Sequence, residues 1–232
     1  MAVRGVLLEE GEARGLYLDL LSECDLAAII ALHKAALKTA PVAGLVKPDT
    51  DDFFREHLGF RGRIWGLFDE QGRMMAYAVL GLPRPGGYNL GPDAGLTGEA
   101  LAEVAHLAGA TVDHACRGRR IQYFLTRYRM EQALALGRRH VVSTVDPRNY
   151  ASWRSLMKCG LHISGLVQKY GGLARFVLYR DMGAEHRPAQ ARERLVAADD
   201  EVAVAGLLAK GWTGTGWRQL EDGRMVIRFC RD

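Results

Sequence analysis

The sequence predicts an α/β fold: one main domain followed by a small C-terminal α/β appendage. Three observations carry that expectation. Segments with strand-like and helix-like apolar periodicity alternate along the chain. Short turn signals, Asp69-Glu70-Gln71-Gly72 and Gly171-Gly172, join strand-like segments directly, as in hairpins. The chain has 232 residues, whereas domains usually run to roughly 100–200, so one full domain plus an appendage fits.

Leu16–Leu21 reads as a short strand, with Ser22 placed to cap the next segment. Asp25–Leu37 carries Leu26, Ile29, Ile30, Leu32 and Leu37 at helical spacing, and Pro41 stops the pattern. Thr50-Asp51-Asp52 is a helix start leading to a short segment that ends near Gly59. Ile64–Phe68 and Met74–Leu80 are apolar strands. Residues 81–98 are rich in glycine and proline and read as a long loop, a kind of segment that often carries function. Ala102–Val112 reads as a buried strand, although its alanines also permit a helix. Ile121–Leu136 is the clearest helix and ends at Gly137. Val141–Val145 is a β-branched strand broken by Pro147-Arg148-Asn149, and Ala151–Met157 is a helix closed by Gly160. Ile163–Tyr170 and Leu173–Arg180 flank the Gly171-Gly172 turn.

After Met182 the character changes. Residues 183–194 are polar and read as a linker, which places the main domain at 1–183 and the extension at 184–232. The extension offers a strand at Arg194–Ala197, a helix at Glu201–Lys210, a glycine-rich turn over 211–217 and a last strand at Met225–Phe229. Such a piece is too small for a robust core. It is expected to dock on the main domain or on a second subunit, so a homodimer is a candidate assembly.

Composition excludes several classes. Hydrophobic residues make up 48% and charged residues 25%, which is globular and not disordered or collagenous. No apolar run approaches the ~18 residues of a membrane span. The start, MAVRGVLLEEGEARG, places acids directly after a very short apolar stretch, so no signal peptide is expected. Cys24, Cys116, Cys159 and Cys230 are scattered without a CxxC, which points to a reduced, cytoplasmic chain with no structural metal. The net charge of +4 suits an anionic ligand and is too small to diagnose a nucleic-acid binder.

Chemistry concentrates in residues 111–161. Arg117-Gly118-Arg119-Arg120 immediately precedes the long helix. Free N–H groups and the positive dipole end at a helix start favour a phosphate or pyrophosphate, and arginines add complementary charge. Seven arginines lie between Arg117 and Arg139 against one acid, Glu131. The first three are read as phosphate ligands and the others as a solvated helix face, in preference to a nucleic-acid surface. The run Gly211–Trp217 has its glycines after a helix, not before one, and reads as ordinary turns instead of a nucleotide loop. Trp65 and Trp153 read as core or cleft-wall residues, and Cys116 as a packed thiol.

This stretch resembles the GCN5-related N-acetyltransferase (GNAT) superfamily. The family's pyrophosphate motif, R/Q-x-x-G-x-G/A, is matched by Arg117-Gly118-Arg119-Arg120-Ile121-Gln122. Its asparagine turn ending in Lys-x-Gly-Phe is matched by Asn149, Ser152, Lys158, Gly160 and Leu161. The resemblance is specific over 104–180 and does not extend beyond about residue 183.

The resemblance implies a mixed α/β fold with a mixed sheet whose central strands splay around acetyl-CoA, the co-substrate. Backbone groups near Ala110, Thr111 and Val112 would pair with pantetheine. N–H groups across Arg117, Gly118, Arg119, Arg120, Ile121 and Gln122 would hold the pyrophosphate, and Asn149 and Ser152 would contribute nearby. The chemistry is direct acetyl transfer to a primary amine, from a small molecule or a peptide.

Two positions depart from the pattern. Arg120 replaces the motif's first glycine; its N–H stays usable provided φ stays negative. Leu156 stands where many members carry a tyrosine that protonates the thiolate, leaving Tyr150, Ser155, Cys159 or water. His106 occupies the position of the family's frequent glutamate base and is the candidate catalytic residue, histidine being a side-chain type whose unperturbed pKa suits proton transfer near neutral pH. The other reading of His106 is a hydrogen-bonded core histidine. Glu103 would face the opposite side of a regular strand. A second reading of the whole chain is a CoA-binding regulatory or interaction module that has lost catalysis. The amine cannot be read from the sequence; Asp51, Asp52 and Asp93 are acids near its expected site.

Overall fold

The computed structural model describes residues 5–42, 44–184 and 192–231. Most of the expected linker, residues 185–191, lies outside the described residues, as does the start of the chain. The chain divides into two compact units, Met1–Tyr88 with Ala105–Gly137 and Asn89–Val104 with Arg138–Asp232.

The first unit is an antiparallel sheet with three helices. Strands β1 (Val6–Leu7), β2 (Tyr17–Leu20), β3 (Gly62–Phe68), β4 (Met74–Gly81) and β5 (Val104–Val112, of which Val104 falls in the other unit) pair in sequence order. Helix α1 (Leu26–Lys38) follows a turn in which the Asp25 carboxylate accepts from the Ser22 N–H at 2.8 Å. Helix α2 (Asp51–Leu58) is capped by Thr50, whose hydroxyl accepts from the Phe53 N–H at 3.1 Å. Alternation along β3 serves both sheet faces. Ile64 joins Ile29, Leu32, Phe54, Tyr77 and Val79 in the core beneath α1 and α2. Trp65 meets Tyr128 of helix α3 (Ile121–Ala135) edge-on at 5.5 Å.

Helical and strand readings of 102–112 were both open in the sequence, and the strand is what forms. Glu103 does not belong to it; it ends a 3₁₀ turn over Gly98–Glu103, so strand alternation does not govern its direction. The β4–β5 register shifts between Ala78↔Ala110 and Leu80↔Leu107, which places a bulge at residues 108–109 of β5. Arg129 of α3 fastens that bulge. It is 1% exposed, and its Nη1 donates to Val79 O at 2.8 Å and Ala108 O at 3.3 Å while Nε donates to Leu125 O at 3.1 Å. The expected solvated helix face is therefore corrected at this position, because the bulge frees carbonyls that need a buried donor.

In the second unit, β6 (His140–Val145) pairs with β8 (Leu173–Asp181), and β8 pairs with β7 (His162–Lys169). Helix α4 (Tyr150–Lys158) follows β6. The β7–β8 turn contains three residues where two were expected. Lys169 pairs with Leu173, and Tyr170, Gly171 and Gly172 all take positive φ.

Residues 192–231 add β9 (Arg192–Ala197), α5 (Glu201–Leu208), β10 (Thr213–Gln219) and β11 (Met225–Arg231). Strand β10 meets β7 at Gly214↔Ile163 and pairs along its length with β11, which pairs with β9. The glycine run expected as a turn is thus a strand from Thr213 onward. A side chain at Gly214 would come 3.0 Å from Ile163 Cβ, so glycine is what lets the strand approach.

Candidate active site

In the first unit, His106, Thr111 and Val112 lie along β5, and Arg117–Gln122 form the turn that opens α3. The turn is exposed from Arg117 to Arg120. Gly118 has φ 82° and Arg120, the N-cap, has φ 59°. The sequence reading required a negative φ at Arg120, and the structure corrects it: the backbone keeps the left-handed form that glycine adopts freely. No side chain caps this helix start, so its first N–H groups and dipole end are presented beside three arginines. Arg119 is tethered, its Nη2 donating to Arg14 O at 2.6 Å. Cys116 packs below at 4% exposure.

A left-handed arginine is strained by roughly 1–2 kcal/mol. Arg120→Gly is accordingly expected to raise stability by about 1 kcal/mol in denaturant unfolding.

Thr111 is buried, and its hydroxyl donates to Tyr77 Oη at 3.1 Å. Tyr77 Oη lies 2.8 Å from His33 Nδ1. His33 Nε2 accepts from the Asp49 N–H at 3.0 Å, so in the neutral ring Nδ1 holds the proton and donates to Tyr77. The network ties β5 to α1 through β4. Burial pushes the Tyr77 hydroxyl pKa up and the His33 pKa down.

His106 is 7% exposed, with the Tyr88 ring edge-on at 6.0 Å. A second buried imidazole, His57 of α2, approaches the same place. Its Nδ1 donates to Phe53 O at 2.7 Å, and burial pushes its pKa down. Sequence reading missed His57. Its one signal is the pair of glycines, Gly62 and Gly81, set opposite each other in β3 and β4.

Both His33 and His57 have folded pKa values below the ordinary 6.5, so below that pH the unfolded chain binds more protons than the folded one. Stability is therefore expected to fall as pH drops from about 6.5 through their folded values. Asp146 and Asp181 lie below the ordinary 3.8, Asp181 at about 2 beside the Arg139 guanidinium. A second loss is expected as pH falls from about 3.8 toward 2. Thermal unfolding measured across this pH range checks both windows.

In the second unit, Asn149 caps α4, its Oδ1 accepting from the Ser152 N–H at 3.2 Å. The turn before it is fixed by Asp146, which is 4% exposed. Its carboxylate accepts from Arg148 N, Nε and Nη2, each at 2.9 Å, and from Arg175 Nη1 at 2.7 Å. Burial raises the Asp146 pKa, but these donors more than offset it and hold the pKa below the usual carboxylate value. Trp153 Nε1 adds a bond to Pro147 O at 2.9 Å. Leu156 is buried. Burial raises the Tyr150 pKa, so its hydroxyl holds its proton near neutrality.

Of the three acids noted in the sequence, Asp93 pairs with Lys169 Nζ at 2.7 Å and Asp52 pairs with Arg55 at 3.0 Å. Among the described residues, no group of three or more His, Cys, Asp or Glu is placed to hold a metal, and no helix is long and apolar enough to cross a membrane.

No family model matches the sequence, and no curated protein matches it. Solved structures do. A GNAT-superfamily phosphinothricin acetyltransferase from Sinorhizobium meliloti, in complex with acetyl-CoA, superimposes with a TM-score of 0.56 at 17% identity, covering 76% of this chain and 94% of its own. The fold is that of the GCN5-related N-acetyltransferase superfamily. Within the GNAT fold, a GCN5-related N-acetyltransferase from Kribbella flavida matches with a TM-score of 0.55 at 20% identity, over 72% of this chain and 98% of its own. The ribosomal-protein-S18-alanine N-acetyltransferase from Escherichia coli gives 0.55 at 14% identity, over 75% and 98%.

Proposed function

We propose that the protein is an acetyl-CoA-dependent N-acetyltransferase that moves the acetyl group directly from the thioester to a primary amine of a small molecule or peptide. The observation that carries this reading is the uncapped start of α3, with Arg117, Arg119 and Arg120 around it, placed directly after β5 in a GNAT fold. The N–H groups of Arg117–Gln122 hold the pyrophosphate, and backbone groups near Thr111 and Val112 take the pantetheine. His106 accepts the amine proton.

The left-handed backbone at Arg120 favours this over a degenerate module, since the turn keeps the shape of its glycine form despite the substitution. Residues 1–183 form the transferase body and 184–232 an extension. That division is supported by neighbours that span 94–98% of their own length on about three quarters of this chain. Four free cysteines suit a reducing, cytoplasmic setting.

Thiol release from acetyl-CoA, followed with a panel of primary amines, tests the reaction. The expected result is amine-dependent release that His106→Ala reduces by about 10²-fold or more. Release that does not depend on any amine counts against it.

A further inference from the structure

We infer that Asp49 is the carboxylate that receives the acceptor: its Oδ2 takes an N–H of the incoming amine over the β5 bulge and selects amines that arrive as ammonium ions, an inference that rests on the transferase reading. Asp49 lies between α1 and α2, and its side chain is 7% exposed. A Cβ at Gly109 would meet Asp49 Oδ2 at 3.0 Å. A C–C bond adds about 1.5 Å, so the oxygen lies no more than about 4.5 Å from the Gly109 Cα. Gly109 has no positive φ, so its backbone does not demand glycine. What the missing side chain supplies is room for the carboxylate. Residues 105–107 of β5 are buried while residues 108–110 are only half-buried, so the strand opens where Asp49 meets it.

The partners of Asp49 decide what Oδ2 can take. Lys47 Nζ holds Oδ1, and the Asp49 N–H donates to His33 Nε2 at 3.0 Å. Among the described residues nothing donates to Oδ2. A carboxylate oxygen can only accept, and one shielded from water without a donor is costly. Lys47 shows which donor suits this corner: its ammonium sits on the carboxylate and 5.0 Å over the Phe53 ring. Burial pushes the pKa values of His33 and His57 down, so near neutrality neither imidazole competes as a cation.

Strand order places the amine for transfer. Thr111 and His106 pair with Tyr77 and Gly81, which share a face of β4 by alternation. Tyr77 meets His33 of α1 and Gly81 faces His57 of α2, the side on which Asp49 lies. With the pyrophosphate at residues 117–122 and pantetheine along Thr111 and Val112, the next position back along β5 is the bulge under Asp49, followed by His106. An amine on Oδ2 therefore stands between the pantetheine positions and His106. There the ammonium gives one proton to His106. Its lone pair forms the C–N bond as the C–S bond breaks, the nitrogen releases a second proton to solvent, and the CoA thiolate takes one up. Ammonium and thioester thus become amide, thiol and one free proton, with Asp49 positioning the nitrogen and taking no proton itself.

NMR titration of the full chain with n-butylammonium chloride, followed at the backbone amide of residue 109, tests the assignment. Tetramethylammonium chloride at equal ionic strength is the control, a cation without an N–H. Both salts are added with and without CoA present. The expected result is a saturable shift with n-butylammonium and none with tetramethylammonium. Asp49→Asn keeps the size of the side chain and is expected to weaken n-butylammonium binding about tenfold or more, the scale of one hydrogen bond to a charged group. Gly109→Ala, which sets a methyl against Oδ2, is expected to do the same and serves should Asp49→Asn fail to fold. Equal shifts with the two cations overturn the inference, as do the absence of a saturable n-butylammonium shift in the wild-type protein under both conditions and an affinity that neither variant lowers. Acetyl-CoA calorimetry decides the transferase reading separately. A protein that binds acetyl-CoA but not n-butylammonium at residue 109 defeats this inference alone, and the reverse result defeats the transferase reading and leaves an ammonium site.

Discussion

Asp146→Asn is expected to lower the unfolding free energy by about 3–5 kcal/mol, the usual cost of removing one partner from a buried ion pair. Asp146 and Arg175 have side-chain exposures of 4% and 3% and meet at 2.7 Å. The amide keeps the volume but removes the negative charge, and the Arg175 guanidinium is left in the interior, where the neutral Ala174 carbonyl accepts from it at 3.0 Å. The three bonds from Arg148 weaken together, since all end on the same carboxylate. For a chain of this size the loss corresponds to a drop of about 10 °C in Tm. Adding Arg175→Met should return part of it, because a buried charge without its partner then no longer exists. A Tm within about 2 °C of wild type for Asp146→Asn would contradict the account.

Arg129→Met is the second large effect expected, about 2–4 kcal/mol, from two buried carbonyls left without a donor. Methionine retains the apolar stem and fills much of the space, so the loss isolates the hydrogen bonds to Val79 O and Ala108 O. Those carbonyls flank the β5 bulge, which lies between His106 and Thr111. The variant is therefore expected to lose acetyl-CoA affinity as well as stability. Denaturant unfolding and calorimetry on the same sample separate the two losses. Arg129→Lys should rescue little, since an ammonium cannot reach the two strand carbonyls and its own helix from one planar fork.

Most elements were legible because each buries one stripe or one face. The apolar spacing of Ile29 and Leu32 in α1, and the β-branched run Val141–Val145, announce themselves locally. The same holds for the turn at Arg117–Gln122, whose residues are contiguous. What stayed hidden depends on partners far along the chain. Arg129 sits at ordinary helical spacing, and only the β5 bulge, with its freed carbonyls, makes it a buried clamp. Asp146 and Arg175 are 29 residues apart, and nothing in either segment names the other. Gly211–Gly216 carries strong local turn propensity, which the docking of β10 on β7 and β11 overrides. His57 reads as one more helical residue until Gly62 and Gly81 are seen to make room for it. The φ of Arg120 could not be read either, because the conformation belongs to the turn and not to the residue that occupies it.

Calorimetric titration of the full chain with acetyl-CoA tests the central claim most directly. Saturable binding of one acetyl-CoA per chain is expected. Affinity should fall as salt is raised and fall further in Arg117→Glu, which places a negative charge at the start of α3. Absence of saturable heat with both acetyl-CoA and CoA, from a protein shown to be folded, would contradict it.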